Sequence, residues 1–538
     1  MTCVVIVGSG PSAVHCALSA LERGMSVTMI DVGIAPPDPV LPATTFDDLK
    51  DRLDDPVTYF LGEQGQGVVY PGAAASFYGH PPSKHYVFQV PPGFTPALHA
   101  MKPVFSFARG GLAGAWTAGC YLWSDVDFEE FPFDLATLLP FYRTVAGRIG
   151  MSGEDDDLSP YLPLSVPHDP PLELDPHSAL LLDRYHTKRD RLHRDGFFVG
   201  RSRVATLSRP HGDRNECTGL GRCLWGCPTG ALYHPATTLA DCRRHDGFRY
   251  LPGHYVTHVD VDTGGTVTAA VATNLDRGTA ARIEGDHFVL AAGALNTTKI
   301  YLETWHRRTG SVLRLGGLMD NRQIHVPFMS PSMIGHPVDT ASYQFHHLAF
   351  GITQPREREY VHGQITTLKA AAIHPIVAGM PAGTRMGIAL FKTIRAGLGV
   401  ANVNLHDERR SDSHVTLEPG DGPTGGQLVI HYVPGKDEPR RRARAIRTVK
   451  AGLRALGCVV PPGMTRVLPM GTSAHYAGTL PMTPGEKPHT TTSEGRVRGF
   501  ANLFVADGAG FPFLPAKNLT LTLMANASRI AEFLQRPP

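Results

Sequence analysis

The chain is 538 residues long, 42% hydrophobic and 19% charged, with a formal net charge of +2. That length allows roughly two to four domains and a large core, and the near-neutral charge offers no partner surface to nucleic acid. No apolar run approaches the roughly 20 residues of a bilayer span, which excludes a membrane-spanning helix.

An apolar run, Cys3 to Val7, opens the chain and is followed by Gly8-Ser9-Gly10-Pro11-Ser12-Ala13; a second apolar run from Val27 to Ile30 ends at Asp31, about twenty residues on. Strand, glycine turn, helix, strand and acid in that order predict a dinucleotide-binding unit. Gly8 allows the tight turn, and Gly10 lets backbone N–H groups, with Ser12 in the same first turn, approach a pyrophosphate at the helix N-terminus. Ala13 stands in place of the third glycine, and Asp31 is expected on the ribose hydroxyls of an adenosine. With this strand starting at about Thr2, no leader is expected, and a cytoplasmic location follows.

Further along, intervals 34–45, 62–94 and 153–176 are rich in Pro, Gly or acid and read as long loops over the substrate side. Gly110-Gly111-Leu112-Ala113-Gly114-Ala115-Trp116 is a glycine-rich turn. Cys217, Cys223 and Cys227 bring three thiols into one short loop that ends in Cys-Pro, a crowding that suits a soft metal. An iron–sulfur cluster, a zinc site completed by Cys242, His211 or His234, a disulfide, and buried free thiols are the open alternatives. Cys3, Cys16, Cys120 and Cys458 sit in apolar surroundings and are expected in the core.

Residues 287–290 before Ala291-Ala292-Gly293 and residues 503–506 before Asp507-Gly508 read as two more strands feeding turns. Because they lie so far from the first unit, the dinucleotide domain is discontinuous. The expected fold is α/β, a Rossmann-type FAD-binding domain (1–165, 205–322, 468–538) with an inserted α+β substrate domain (166–204, 323–467). Within the insertion, 414–417 and 427–432 alternate like half-buried strands. Residues 438–456 have amphipathic-helix spacing, with Arg440, Arg441, Arg442 and Arg444 on a solvated face.

His475-Tyr476-Ala477-Gly478-Thr479 precedes Asp507-Gly508, and Asn518-Leu519-Thr520 opens an apolar helix running to about Phe533. Together with the N-terminal fingerprint, Gly110-Gly111 and 290–294, this pattern resembles the glucose-methanol-choline (GMC) family of FAD oxidoreductases over nearly the whole chain. The resemblance implies His475 as the active-site base and Asn518 as its partner. It also implies Asp507 and Gly508 on the ribityl and pyrophosphate part of FAD, Thr520 near the pyrimidine edge, and Gly110, Gly111, Val256, Ala292 and Gly293 around the cofactor. The chemistry agrees: oxidising an alcohol through a flavin removes a hydroxyl proton and sends the carbinol hydride to N5, which needs a base titrating near neutrality. A helix N-terminus at Asn518 favours the negative charge of the reduced ring.

Ala115 stands where pyranose-oxidase-type members carry a flavin-linking histidine, so the resemblance implies non-covalent FAD. The cysteine loop is similar to that of bacterial sugar dehydrogenases holding a three-iron cluster, and to that of enzymes oxidising a hydroxymethyl group of aminoglycoside precursors. The implied activity is oxidation of a hydroxyl on a sugar, glycoside or aminocyclitol, with O2 or a carrier as final electron acceptor. An apolar alcohol or steroid substrate, and a flavin-containing lyase, are the alternatives.

Overall fold

A computed structural model describes residues 2–37, 42–63, 80–369 and 382–535. Parts of two expected loop excursions, at 38–41 and 64–79, lie outside these.

A five-stranded sheet runs in the order Leu503–Val505, His287–Leu290, Cys3–Val7, Ser26–Ile30, Phe248–Leu251, every pair parallel. Parallel strands are covered on both faces, which is why these segments are almost continuously apolar. On one face, helix Pro11–Leu21 packs against helix Thr520–Ile530. Val4, Ile6, Cys16, Leu18, Val289, Phe504, Ala527 and Ile530 share one core there. The opening and closing motifs of the sequence therefore form a single body. The last helix starts two residues after Asn518 and ends at Ile530, with a short 3-10 turn over Phe533–Gln535 beyond it.

The other face carries an antiparallel sheet of three strands, His254–Val261, Val267–Asn274 and Ala280–Glu284, and helix Ala294–Thr309. Strands His414–Glu418 and Gln427–His431 form where alternation predicts them. They pair with Leu315–Gly316 and Ala97–His99, and Val415, Leu417, Leu428 and Ile430 pack in one core with Val5, Leu295 and Tyr301 of the dinucleotide body.

A six-stranded sheet runs Arg466–Val467, Arg322–Met329, Leu398–Leu405, Val361–Thr367, Leu348–Ile352, Phe197–Arg201, antiparallel throughout. Side chains alternate across a sheet. Ile324, Val326, Ile365, Val403 and Leu405 point to a core with Leu181 and Tyr185 of helix Pro176–Thr187 and Ala445, Val449 and Leu453 of helix Glu438–Ala455. The intervening Gln323, His325, Gln364, Thr366, Asn402 and Asn404 face a cavity between this sheet and the dinucleotide body. Among the described residues, no helix is long and apolar enough to cross a membrane.

Gly8 is the tightest joint of the cofactor sheet: its φ is +105°, and an added Cβ would lie 2.6 Å from Ala291 O on the neighbouring crossover. Gly8→Ala should therefore destabilise the protein by about 2 kcal/mol or more, from the left-handed backbone plus the clash. Denaturant unfolding measures this, and an unchanged midpoint refutes it.

Candidate active site

One cavity of about 580 Å3 lies where the parallel sheet, the six-stranded sheet and the loop 473–476 meet. Gly8, Gly10, Ser12 and Asp31 line it, as do Gly111, Ala115, Val256, Ala292, Gly293, Asp507, Gly508 and Thr520. Two expected contacts do not. Ala13 is fully buried between its helix and the sheet, so its small size serves packing. Gly110, at φ +93°, turns against His234 and donates its N–H to Ser9 Oγ at 3.1 Å, which leaves Gly111 on the cavity wall.

Three helices begin at this cavity, 11–21, 294–309 and 520–530, and their N-caps Gly10, Gly293 and Leu519 supply no side-chain cap. Their first-turn N–H groups are uncapped and carry the positive end of each helix dipole. An added Cβ at Gly10 or Gly293 would meet no atom within 4 Å, so both backbones lie open to a ligand. Asn296 Oδ1 is buried there without a partner.

Asp31 accepts from Tyr250 Oη at 3.0 Å and from Ser9 Oγ, and burial pushes its carboxyl up to about 6. An acid beside uncapped helix N-termini fits the ribose and pyrophosphate of FAD. Asp507 is engaged differently. Its carboxylate accepts from Gly293 N at 2.9 Å, Thr297 Oγ1 at 2.5 Å and Ala509 N at 3.0 Å, so it braces the 293–297 turn that borders the cofactor space.

His475 and Asn518 line the same cavity. The His475 ring is oriented by Asn321, whose Oδ1 lies 2.9 Å from Nδ1. Asn321 Nδ2 donates to Leu405 O at 2.9 Å and Pro515 O at 3.0 Å, so its carbonyl oxygen must be the atom facing the ring. Nδ1 therefore carries the proton. Nε2, without a partner among the described residues, is left to accept one from the cavity. Ser473 Oγ accepts the His475 N–H at 3.0 Å and is itself held by the buried Asp320, pushed by burial up to about 7. The residue before the histidine, Ala474, sits at φ +60°, a strained position for a residue with a Cβ. Asn518 Oδ1 accepts from Gln364 Nε2 at 3.2 Å, which leaves its Nδ2 for a ligand.

Asn321, Ser473 and Gln364 were not singled out in the sequence. The polar–apolar alternation of Gln323-Ile324-His325-Val326, Gln364-Ile365-Thr366 and Asn402-Val403-Asn404-Leu405 is the signal that marks the cavity face.

The cysteine loop is partly buried. Cys217 and Cys223 pack with Leu172, Val204 and Tyr343, and burial raises both thiols, that of Cys223 to about 12. Cys227 Sγ lies 3.4 Å from Thr229 Oγ1. Among the described residues no three His, Cys, Asp or Glu side chains group so as to hold a metal, and Cys217, Cys223 and Cys227 stand as free thiols. The loop does border the site. Leu224 lines the main cavity, and Cys223 and Cys227 line a neighbouring one of about 200 Å3 that shares Ala115 and Trp116 with it.

Residues 410–527, which carry His475 and Asn518, match the GMC oxidoreductase family. The chain is a homologue of the GMC oxidoreductases. It is 28% identical to a GMC-type oxidoreductase of Sinorhizobium fredii, over 61% of this chain and 65% of that protein. It is 24% identical to the paromamine 6'-oxidase of Streptomyces fradiae, over 98% of this chain and 90% of that one. Its fold is that of pyridoxine 4-oxidase from Mesorbium loti, with a TM-score of 0.62 at 15% identity and 99% of each chain covered.

Burial pushes His475 down to about 4, below the near-neutral value expected of the base, so the ring is neutral, and able to accept a proton, at every pH above about 4. Flavin reduction should hold steady from neutral pH to about pH 5 and fall only below it, as the ring takes up its second proton. Anaerobic stopped-flow reduction across pH measures this; an acid limb near pH 6.5, the free-imidazole value, refutes it. Asn321→Leu removes the acceptor at Nδ1. It should slow reduction about 10- to 100-fold, the rate equivalent of a buried hydrogen bond worth about 1–3 kcal/mol, measured on the same instrument.

Proposed function

We propose that this GMC-type protein oxidises a hydroxyl-bearing carbon of a sugar, glycoside or aminocyclitol-type substrate to the carbonyl. The observation that carries this reading is the pair His475 and Asn518, each with one polar atom fixed by the protein and the other turned to the cavity. Asn518 Nδ2 donates to the substrate hydroxyl oxygen and holds it. His475 Nε2 takes the hydroxyl proton, and the resulting imidazolium keeps its Nδ1–H on Asn321. Bound FAD supplies the two-electron acceptor for the carbinol hydride. Asp31 would hold the adenosine ribose, and the first turns at Gly10, Gly293 and Thr520 the anionic groups.

Ala115 at the cavity wall has no nucleophilic atom, which supports a non-covalent cofactor, and FAD is the one cofactor proposed. Electrons then pass to O2 or to another acceptor. A steroid or other apolar alcohol is disfavoured, because it would leave Gln323, His325, Gln364, Asn402 and Asn404 facing hydrocarbon. The oxidised aminoglycoside that names the Streptomyces fradiae relative supports a polar, ring-bearing substrate.

His475→Ala should slow flavin reduction about 10²- to 10⁴-fold with the yellow cofactor retained, and Asn518→Ala should slow it less, since an amide orients but takes no proton. Anaerobic reduction kinetics, with cofactor content read from the supernatant after acid precipitation, decide this. Reduction by His475→Ala at the parent rate places the base elsewhere.

A further inference from the structure

One outer corner of the six-stranded sheet gathers more than half of the large hydrophobic side chains exposed among the described residues. They come from three segments, 329–338, 382–400 and 456–470. Met386, Ile388 and Leu390 stand on helix Thr384–Ile394, of whose eleven residues only Gly387 and Phe391 are buried. Ile334 lies on a turn whose Gly335 N donates to Thr393 O of that helix at 2.9 Å. Val459, Met464 and Val467 belong to the loop and edge strand beside the turn. Ser330 N donates to Gly397 O at 2.8 Å, and Arg184 donates to both Ser332 Oγ at 2.8 Å and Leu456 O at 3.1 Å, so the three segments meet. Single exposed apolar side chains are ordinary, but a group of them marks a contact surface.

Charge decides what the contact is. Arg385, Lys392, Arg395 and Arg466 are interleaved with these side chains, and neither the three segments nor 370–381 contain an Asp or Glu. None of the four bases pairs with a carboxylate among the described residues. A second copy of the chain would meet this corner across a two-fold axis, bases against bases, which is unfavourable. An anionic lipid leaflet offers the opposite: negative charge level with the bases, and hydrocarbon beneath it for the apolar side chains. Met386 and Leu390, four residues apart, share one flank of the helix, and Arg385 and Lys392 lie about a third of a turn round from it. With that flank down, the bases sit at headgroup level. The helix also stands proud of the body, and a fluid layer moulds to a ridge where a protein partner would need a matching groove.

We propose that this corner docks the protein reversibly on an anionic phospholipid surface, with Met386 and Leu390 among the acyl chains and Arg385, Lys392, Arg395 and Arg466 on the headgroups. The helix lies in the interface and spans nothing, since its eleven residues cover only about 16 Å. The cavity with His475 and Asn518 takes no part in the contact.

The test floats FAD-loaded protein with two kinds of vesicle, phosphatidylcholine alone and phosphatidylcholine carrying about 30% phosphatidylglycerol. Partition onto the anionic vesicles should be at least ~10-fold stronger than onto the neutral ones, and should weaken at about 0.5 M salt. A base near an anionic leaflet strengthens binding about fivefold, so Arg385→Glu with Lys392→Glu should weaken it ~25-fold or more. Met386→Asp with Leu390→Asp should weaken it at least ~10-fold. Flavin absorbance of each purified variant checks the fold, and Met464→Asp replaces the pair of aspartates should that pair lose its flavin. Partition that is absent, or equal on the two vesicles, overturns the inference. So does partition that the glutamates abolish and the aspartates leave unchanged, which is charge adhesion without insertion. A dimer that the aspartates dissociate, with no vesicle binding, makes the corner an interface between copies instead.

Discussion

Three helices that start at one point without side-chain caps define this molecule. Each leaves first-turn N–H groups without a side-chain cap at a common cavity, and the positive ends of three helix dipoles meet there. An arrangement of this kind is stable only when something anionic or strongly accepting completes it. The open backbone at Gly10 and Gly293 and the close crossovers at Gly8 and Gly508 are the steric counterpart: crowding where chains cross, room where the ligand lies. The parallel sheet exists to hold these helix starts together, and the rest of the site is hung from it.

The cofactor half was largely legible in the sequence, because its rules are local. A glycine turn after an apolar strand declares itself within a dozen residues, and the strands at Cys3–Val7, Ser26–Ile30, His287–Leu290 and Leu503–Val505 form where apolar runs predict them. Two contacts failed for a reason that spacing does not carry. Ala13 faces the sheet and not the cofactor, and Gly110 is spent on the turn beside His234. Proximity in sequence does not tell where the cysteines lie: the loop packs Cys217 and Cys223 among aliphatic and aromatic neighbours.

The substrate half was hidden because its residues are individually ordinary. Asn321 matters only because three separate segments meet at it, the histidine ring on one side and the carbonyls of Leu405 and Pro515 on the other. No motif encodes such a meeting. The asparagines and glutamines of the six-stranded sheet are likewise visible only as alternation, and alternation by itself identifies a solvated face as readily as a lined cavity. Sheet closure over the dinucleotide body turns the first into the second.

The parallel sheet also fixes an order of assembly. Its strand Leu503–Val505 and the helix from Thr520 come after the whole six-stranded body in the chain, yet they wall the same space as Gly8 and Asp31. During synthesis the N-terminal unit therefore emerges with one side of its cradle missing, and all the strands of the inserted sheet leave the ribosome before that side does. Closure of the cavity depends on a long-range strand pairing, and a chain stopped short of residue 503 carries the glycine fingerprint without one wall of the space it borders.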